Sequence, residues 1–123
     1  MLKPPPLSQA AFGDAVRAAL RDLHRPDRLG ASPLAGSALG PDVRQHLVAA
    51  IAWVGEEPKG EPLRRVLDRT YLRPAPSQEA AAEVLGLPFS TYRRHLGRAV
   101  ERVVDQLWAV ETGQEVSSIR PGG

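Results

Sequence analysis

The chain has 123 residues and a formal net charge of +2, a length that predicts one compact domain with a moderate core. It contains no cysteine, which excludes disulfides and cysteine-ligated metals and fits a reducing compartment. No apolar run approaches the roughly 20 residues of a transmembrane helix, and the N-terminus lacks the continuous apolar segment of a signal peptide. We therefore predict a cytoplasmic protein with no membrane partner.

The N-terminal part predicts a leader, a helix and an irregular connection. Residues 1–7 contain three consecutive prolines and should be extended. Ser8 is a suitable N-cap for an amphipathic helix over residues 8–23. Residues 25–30 resemble a single helical turn, and residues 30–40 are small and rich in turn formers. Leu29, Leu34 and Leu39 are expected to anchor this connection to the core.

Two further helices are predicted in the middle of the chain. The first starts at Pro41 and runs to about residue 55. It is the most apolar helix, which makes it the candidate for the centre of the fold. After a polar break, a second helix covers about residues 61–72, with Arg64, Arg65, Asp68 and Arg69 facing outward.

The stretch 77–108 carries two helical patterns separated by one glycine. Ser77 is a natural N-cap for the first helix, and Gly86 suits the position after its end, which often needs a positive φ. Leu87 can point back to the core, and Pro88 suits the start of a new helix. Two helices joined by a tight glycine turn indicate a helix-turn-helix.

The final helix is expected to run to about residue 111, with Val104, Leu107, Trp108 and Val110 packing on the N-terminal helices. Residues 112–123 form a polar tail that we expect to be flexible. No segment alternates with period two. We therefore predict an all-α fold of five or six helices in one domain over residues 8–111. Its N-terminal helical half should pack on the C-terminal helix-turn-helix.

The segment AAAEVLGLPFSTYRRHLGRAVERV resembles the promoter-reading C-terminal region of bacterial sigma factors and related regulators. The resemblance covers roughly the final third to half of the chain. The matching residues are Ala81, Ala82, Leu85, Gly86, Leu87, Thr91, Arg93, Leu96, Arg98 and Ala99. The chain departs from the pattern at Pro88, where Ser or Thr is usual, and at Tyr92, where a β-branched aliphatic residue is usual. The resemblance implies binding of double-stranded DNA, and sigma-like regions also contact RNA polymerase.

Charge is unevenly distributed along the chain. Residues 63–102 contain eight arginines, four acidic residues and no lysine, so this segment has a net charge of +4. Arginine offers a planar fork that suits phosphates and guanine edges. A GC-rich coding bias is an equally good explanation of the arginine content, because arginine also dominates the basic residues elsewhere.

Candidate DNA contacts follow from the geometry of a helix-turn-helix, whose second helix, here about residues 89–108, enters the major groove. Ser90, Arg93 and Arg94 should project away from Tyr92 and Leu96, to read base edges or clamp phosphate. The remaining candidates are Thr91 at the edge of that face, Arg98 and Arg102 further along the helix, Ser77 and Gln78 at a helix N-terminus, and Arg64, Arg65 and Arg69 on the preceding helix.

The sequence therefore predicts a DNA-binding transcriptional regulator. The alternative is a protein-interaction module of the same fold that docks RNA polymerase, a sigma antagonist or another domain. We predict no enzyme activity, no cofactor and no metal site. The three histidines lie on different elements, and the chain has no glycine-rich phosphate loop, serine elbow or cysteine nucleophile. The pattern leaves the oligomeric state open.

Overall fold

The computed structural model describes residues 7–113. Within them every regular element is a helix or a helical turn, and there is no β-strand. The predicted leader and tail fall almost wholly outside the described residues. The all-α prediction is confirmed. The helices are α1 (Gln9–Arg21), α2 (Pro26–Gly30), α3 (Val43–Glu56), α4 (Glu61–Leu67), α5 (Gln78–Leu85) and α6 (Phe89–Glu111), with a 3-10 turn at Pro33–Gly36 and a π-helical turn at Asp68–Leu72.

Helix α6 is the common packing partner of the fold. It contacts α1, α3, α4 and α5, whereas α3 packs mainly on α4 and α6. The expectation that α3 would be central was therefore wrong. The apolar content of a helix indicates how much of its surface is buried, not how many other helices it contacts. At 23 residues, α6 is long enough to contact four of the other helices. Its buried stripe includes Tyr92, Leu96, Ala99, Val103 and Leu107.

The N-terminal helix closes the bundle against the far end of α6. The Ser8 hydroxyl accepts a hydrogen bond from the Ala11 N–H at 3.1 Å, which confirms it as the N-cap. Phe12 is fully buried and meets the Trp108 ring edge-on, with ring centroids 5.1 Å apart. The late apolar residues of α6 thus pack on the N-terminal half, as predicted.

The connection between α1 and α3 behaves as expected. Leu29, Leu34 and Leu39 are all buried and fix an otherwise small-residue segment to the core. The start of α3 differs from the prediction, because the helix begins at Val43 and Pro41 precedes it.

The segment predicted as one helix over residues 61–72 changes its winding halfway. Helix α4 ends at Leu67, and the next turn is π-helical, with the Arg73 N–H bonded to the Asp68 carbonyl at 2.7 Å. Asp68 was expected to face water but is buried. Its carboxylate is paired with Arg73, and this pairing is what makes its burial tolerable.

In the described part of the chain, no helix combines the length and apolar character needed to cross a bilayer.

Candidate nucleic-acid interface

The turn between α5 and α6 sets the direction of the exposed helix. Gly86 has φ +71° and ψ +30°, the left-handed conformation that glycine adopts without steric cost. The Leu87 N–H bonds to the Ala82 carbonyl at 2.9 Å, and the Gly86 N–H bonds to the Glu83 carbonyl at 3.0 Å. This pair of bonds is the Schellman motif, which ends a helix and reverses the chain. The predicted role of Gly86 is confirmed.

Helix α6 begins without a capping side chain. Its N-cap is Pro88, which has an extended backbone and makes no side-chain hydrogen bond to the helix. A Ser or Thr at this position, as in the sigma-like pattern, would accept a hydrogen bond from a backbone N–H of the first turn. Pro88 cannot, so the backbone N–H groups of that turn have no capping side chain. The N-terminus of α6 therefore presents free donors next to its exposed side chains.

Tyr92 fixes the rotation of α6 about its own axis. The side chain is fully buried, and its hydroxyl lies 2.6 Å from the Thr70 Oγ1 atom. Thr70 in turn donates to the Val66 carbonyl at 2.7 Å, so the Tyr92 hydroxyl donates to Thr70. The second departure from the pattern thus gains a polar contact to the π-helical turn that an aliphatic residue could not make. One face of α6 is thereby held inward.

The opposite face of α6 is exposed and positively charged. Ser90, Arg93, Arg94 and Arg98 are exposed, while Thr91 is half-buried at the edge, as predicted. None of these three arginines makes an ion pair with any acidic side chain in residues 7–113. Glu101 is one turn from Arg98 and still does not pair with it. The guanidinium groups of this face are thus available to an external anion.

Arg93 is held next to the start of α5. Its Nη1 donates to the Gln78 Oε1 at 2.7 Å, which brings together two residues that the sequence placed on separate helices. The neighbouring Ser77 accepts a hydrogen bond from the Ala80 N–H at 3.0 Å, so it caps α5 as predicted. Arg93, Gln78 and Ser77 therefore form one polar group beside the exposed face of α6.

Arg102 has different surroundings from the other arginines of α6. It forms a two-point ion pair with Glu57, whose Oε1 accepts from Nε at 3.0 Å, and it lies 3.6 Å from Asp105. Its guanidinium carbon also lies 5.7 Å from the Trp53 ring centroid. The carboxylate of Glu57 raises the pKa of Arg102 further above its ordinary value. This arginine joins α6 to the end of α3, so the structure does not group it with the exposed face.

The three arginines predicted on the helix before the motif lie together in a separate place. Arg64, Arg65 and Arg69 line a cleft between α4 and α5, together with Arg73. Arg64 is bonded through two atoms to Glu61, at 3.0 and 2.7 Å. The structure thus brings these residues to each other and not to the arginines of α6.

Two exposed apolar side chains flank the Gly86 turn. For Phe89 the sequence leaves two roles open, a lid on the core, which it favours, and an exposed contact; in the structure the ring is 42% exposed and stacks on Tyr92 with ring centroids 6.1 Å apart. Val84, which the sequence did not single out, is 59% exposed at the end of α5. Phe89 lies three residues before Tyr92 and continues the three- and four-residue spacing of the buried stripe, so the spacing gives no signal of its exposure. An exposed aromatic ring at the start of α6 could contact a base.

The histidines lie in separate environments. His24 donates through Nε2 to the backbone carbonyls of Tyr71 and Leu72, at 2.9 and 3.1 Å, and so ties α1 to the π-helical turn. Among residues 7–113, no three His, Cys, Asp or Glu side chains come close enough to hold a metal ion together.

Comparison with protein-family models, with curated proteins and with solved structures found no match.

Proposed function

We propose that this protein is a DNA-binding transcriptional regulator that inserts the first half of α6 into the major groove. The observation that carries the proposal is the row of exposed arginines that have no acidic partner within residues 7–113, on a helix whose opposite face is fixed in the core. A helix-turn-helix reads DNA with the early residues of its second helix. The resemblance to the sigma-factor region supports the same surface.

The exposed residues divide into two roles by their positions. Arg94 and Ser90 lie on the middle of the exposed face, from which a guanidinium group can reach guanine O6 and N7. Arg93 is turned toward Gln78 at the start of α5, where helix N-terminal N–H groups favour phosphate. We assign base reading to Arg94 and phosphate binding to Arg93. Arg98, one turn further along, is suited to the phosphate backbone.

The arrangement is preorganised for such a role. The Schellman turn and the hydrogen bond between Tyr92 and Thr70 hold α6 in place before any ligand arrives. Ordering the backbone would then cost little free energy on binding. The main cost would be fixing the arginine side chains. Because the arginines of this face have no carboxylate partner in the described part of the chain, no ion pair within residues 7–113 has to be broken first.

Selection of bound sequences from a random duplex DNA pool at physiological salt tests the proposal. We expect enrichment of a short motif that contains guanine. Fluorescence anisotropy on the selected duplex should then show affinity falling steeply with salt. Contacts from Arg93, Arg94 and Arg98 to phosphate or to bases beside it predict a log–log slope of up to about −3.

Arg44→Ala is a matched control, because Arg44 is exposed near the start of α3 and lies on neither helix of the helix-turn-helix. It should leave both the selected motif and the affinity unchanged. A pool that stays random, with no duplex binding above that of an acidic control protein, would exclude the proposal. Binding that Arg44→Ala weakens as much as Arg94→Ala would show only general attraction to a basic chain.

A further inference from the structure

The cleft between α4 and α5 is the second concentration of positive charge in the fold. We call it the arginine cleft: Arg64, Arg65, Arg69 and Arg73 line one side, and Val84 and Leu85 line the other. Its volume is about 310 Å³. Asp68 is the one acidic residue among those lining it, and that carboxylate is already paired with Arg73. The cleft therefore keeps a strong positive charge.

Two of the four guanidinium groups of the cleft are held in place before any partner arrives. Arg64 is held by Glu61 and Arg73 by Asp68, in each case through two hydrogen bonds. Arg65 makes no ion pair within residues 7–113. Arg69 makes none there either, and its Nε atom is shielded from solvent without an acceptor. An incoming carboxylate would therefore bind Arg65 and Arg69 without displacing an acidic side chain of the described residues.

The other side of the cleft is apolar. Among residues 7–113, Val84 and Phe89 are the exposed large apolar side chains, and Val84 is the more exposed of the two. Leu85 lies next to Val84 and is half-buried. A phosphate backbone gains nothing from contact with an aliphatic side chain. A peptide that carries an apolar residue gains the free energy of removing both surfaces from water. Arginine beside an apolar pocket is also a common composition for protein-binding surfaces.

The π-helical turn forms part of the wall of the cleft. Arg69 lies in this turn and Arg73 is the residue at its end, and both line the cleft. Such turns occur often at functional sites. The unusual winding, the concentration of arginine and the exposed valine therefore coincide at one place.

We propose that the arginine cleft docks an acidic segment of a partner protein, with carboxylates on Arg65 and Arg69 and an aliphatic or aromatic side chain against Val84. The cleft and the exposed face of α6 use different residues, so the chain would hold DNA and a protein partner at the same time. The proposal does not depend on DNA binding.

A displayed pool of random dodecapeptides, selected on the full chain, tests the proposal. We expect enrichment of Asp and Glu flanking an aliphatic or aromatic residue. Anisotropy with one selected peptide should then show binding at least about tenfold weaker to the double variant Arg65→Glu with Val84→Asp. Both side chains are exposed, so melting curves should confirm that this variant folds normally.

The double control Arg44→Glu with Gln45→Glu changes the charge by the same −3 at two exposed positions of α3 and should bind the peptide as the wild type does. Arg94→Ala should also keep peptide binding, whatever it does to DNA. A pool without acidic enrichment, or equal weakening by the control, would overturn the proposal. A third result would also overturn it: duplex DNA displaces the peptide, and the cleft variant loses as much affinity for DNA as for the peptide. The cleft would then belong to the DNA interface.

Discussion

Two groups of arginines in this fold differ in their acidic neighbours. Arg93, Arg94 and Arg98 stand on the exposed face of α6 with no acidic partner among the described residues. Arg73 and Arg102 are each joined to a carboxylate that is mostly shielded from water. The first group is thus available for an external ligand, whereas the second already stabilises contacts between parts of the fold.

This contrast matters because the two groups look alike in the sequence. All five residues lie in the same arginine-rich segment, and a coding bias toward arginine would produce both. Only the three-dimensional position of Asp68 and Glu57 separates them. An arginine without a partner pays no internal cost to bind an anion, but a paired one has to give up a charge-assisted hydrogen bond. The difference predicts opposite outcomes for the same substitution.

The largest effect is expected from the double variant Arg93→Ala with Arg94→Ala. It should weaken binding to the selected duplex at least about thirtyfold, because each contact contributes roughly 1–3 kcal/mol. Separately, Arg94→Ala should relax the preference at one base pair. Arg93→Ala should weaken all sequences alike and reduce the salt slope by about one unit. Anisotropy on a panel of duplexes measures both.

Thermal unfolding of the same variants provides the control, since neither side chain supports the core. Their melting temperatures should stay within the range of ordinary surface substitutions. If the two single variants lose the same base preference, the assignment of Arg93 to phosphate and Arg94 to base reading is wrong.

The reverse outcome is expected for Arg102→Ala. It breaks the pair with Glu57 and the contact with the Trp53 ring, which together should lower the free energy of unfolding by about 1–2 kcal/mol. Affinity for DNA should change little. Arg98→Ala, one turn away on the same helix, is the matched control: it should leave stability nearly unchanged and weaken DNA binding. Urea unfolding and anisotropy on both variants measure the contrast.

A large loss of DNA affinity in a stably folded Arg102→Ala protein would restore Arg102 to the set of DNA contacts that the sequence predicted. In that case the exposed face would extend a further turn along α6, and pairing with an acid would be a poor guide to which arginines bind.

The fold could be predicted largely from local rules. Capping by Ser8 and Ser77, the glycine turn at Gly86 and the apolar stripe of α6 are all encoded within a few residues of each other, where sequence patterns are informative. The candidate site was predictable where it depends on the rotation of one helix, as for Arg94.

The surroundings of individual side chains depend on contacts between distant parts of the chain, which local patterns do not reveal. Glu57 lies 45 residues before Arg102, and no periodicity reveals that they meet. The burial of Asp68 follows from the π-helical turn, which the apolar pattern cannot separate from a continuing α-helix. Phe89 continues the spacing of the buried stripe, which favours the core over an exposed contact, yet its ring is 42% exposed and stacked on Tyr92.

A smaller effect is expected from acid. The hydrogen bonds from Arg73 hold the pKa of the Asp68 carboxyl below its ordinary value. A carboxyl with a lowered pKa in the folded state stabilises the fold above its unfolded pKa, and this contribution is lost as the pH falls below about 4. Asp68→Asn should lower stability at neutral pH by about 1 kcal/mol and show a flatter acid dependence than the wild type. Urea unfolding between neutral and acidic pH measures both. Equal acid dependence would mean that other carboxyls dominate.

The smallest effect is expected at Phe89, and it would sharpen the description of the exposed face of α6. The ring lies at the start of the helix, is partly exposed, and is supported from below by Tyr92. An aromatic ring at this position can contact the 5-methyl group of thymine. Replacing the thymines of the selected duplex by deoxyuridine removes only these methyl groups, and should weaken wild-type binding about fourfold, or roughly 0.8 kcal/mol.

The variant Phe89→Ala should bind both duplexes equally and about as well as the wild type binds the deoxyuridine duplex. Val84→Ala is the matched control, because Val84 is the other exposed apolar residue beside the turn but belongs to the arginine cleft. It should keep the full response to deoxyuridine. If wild type and Phe89→Ala respond alike, the ring does not face a thymine. The base preference would then rest on Arg94 and Ser90 alone, and the arginines of the exposed face would account for DNA binding without help from an aromatic ring.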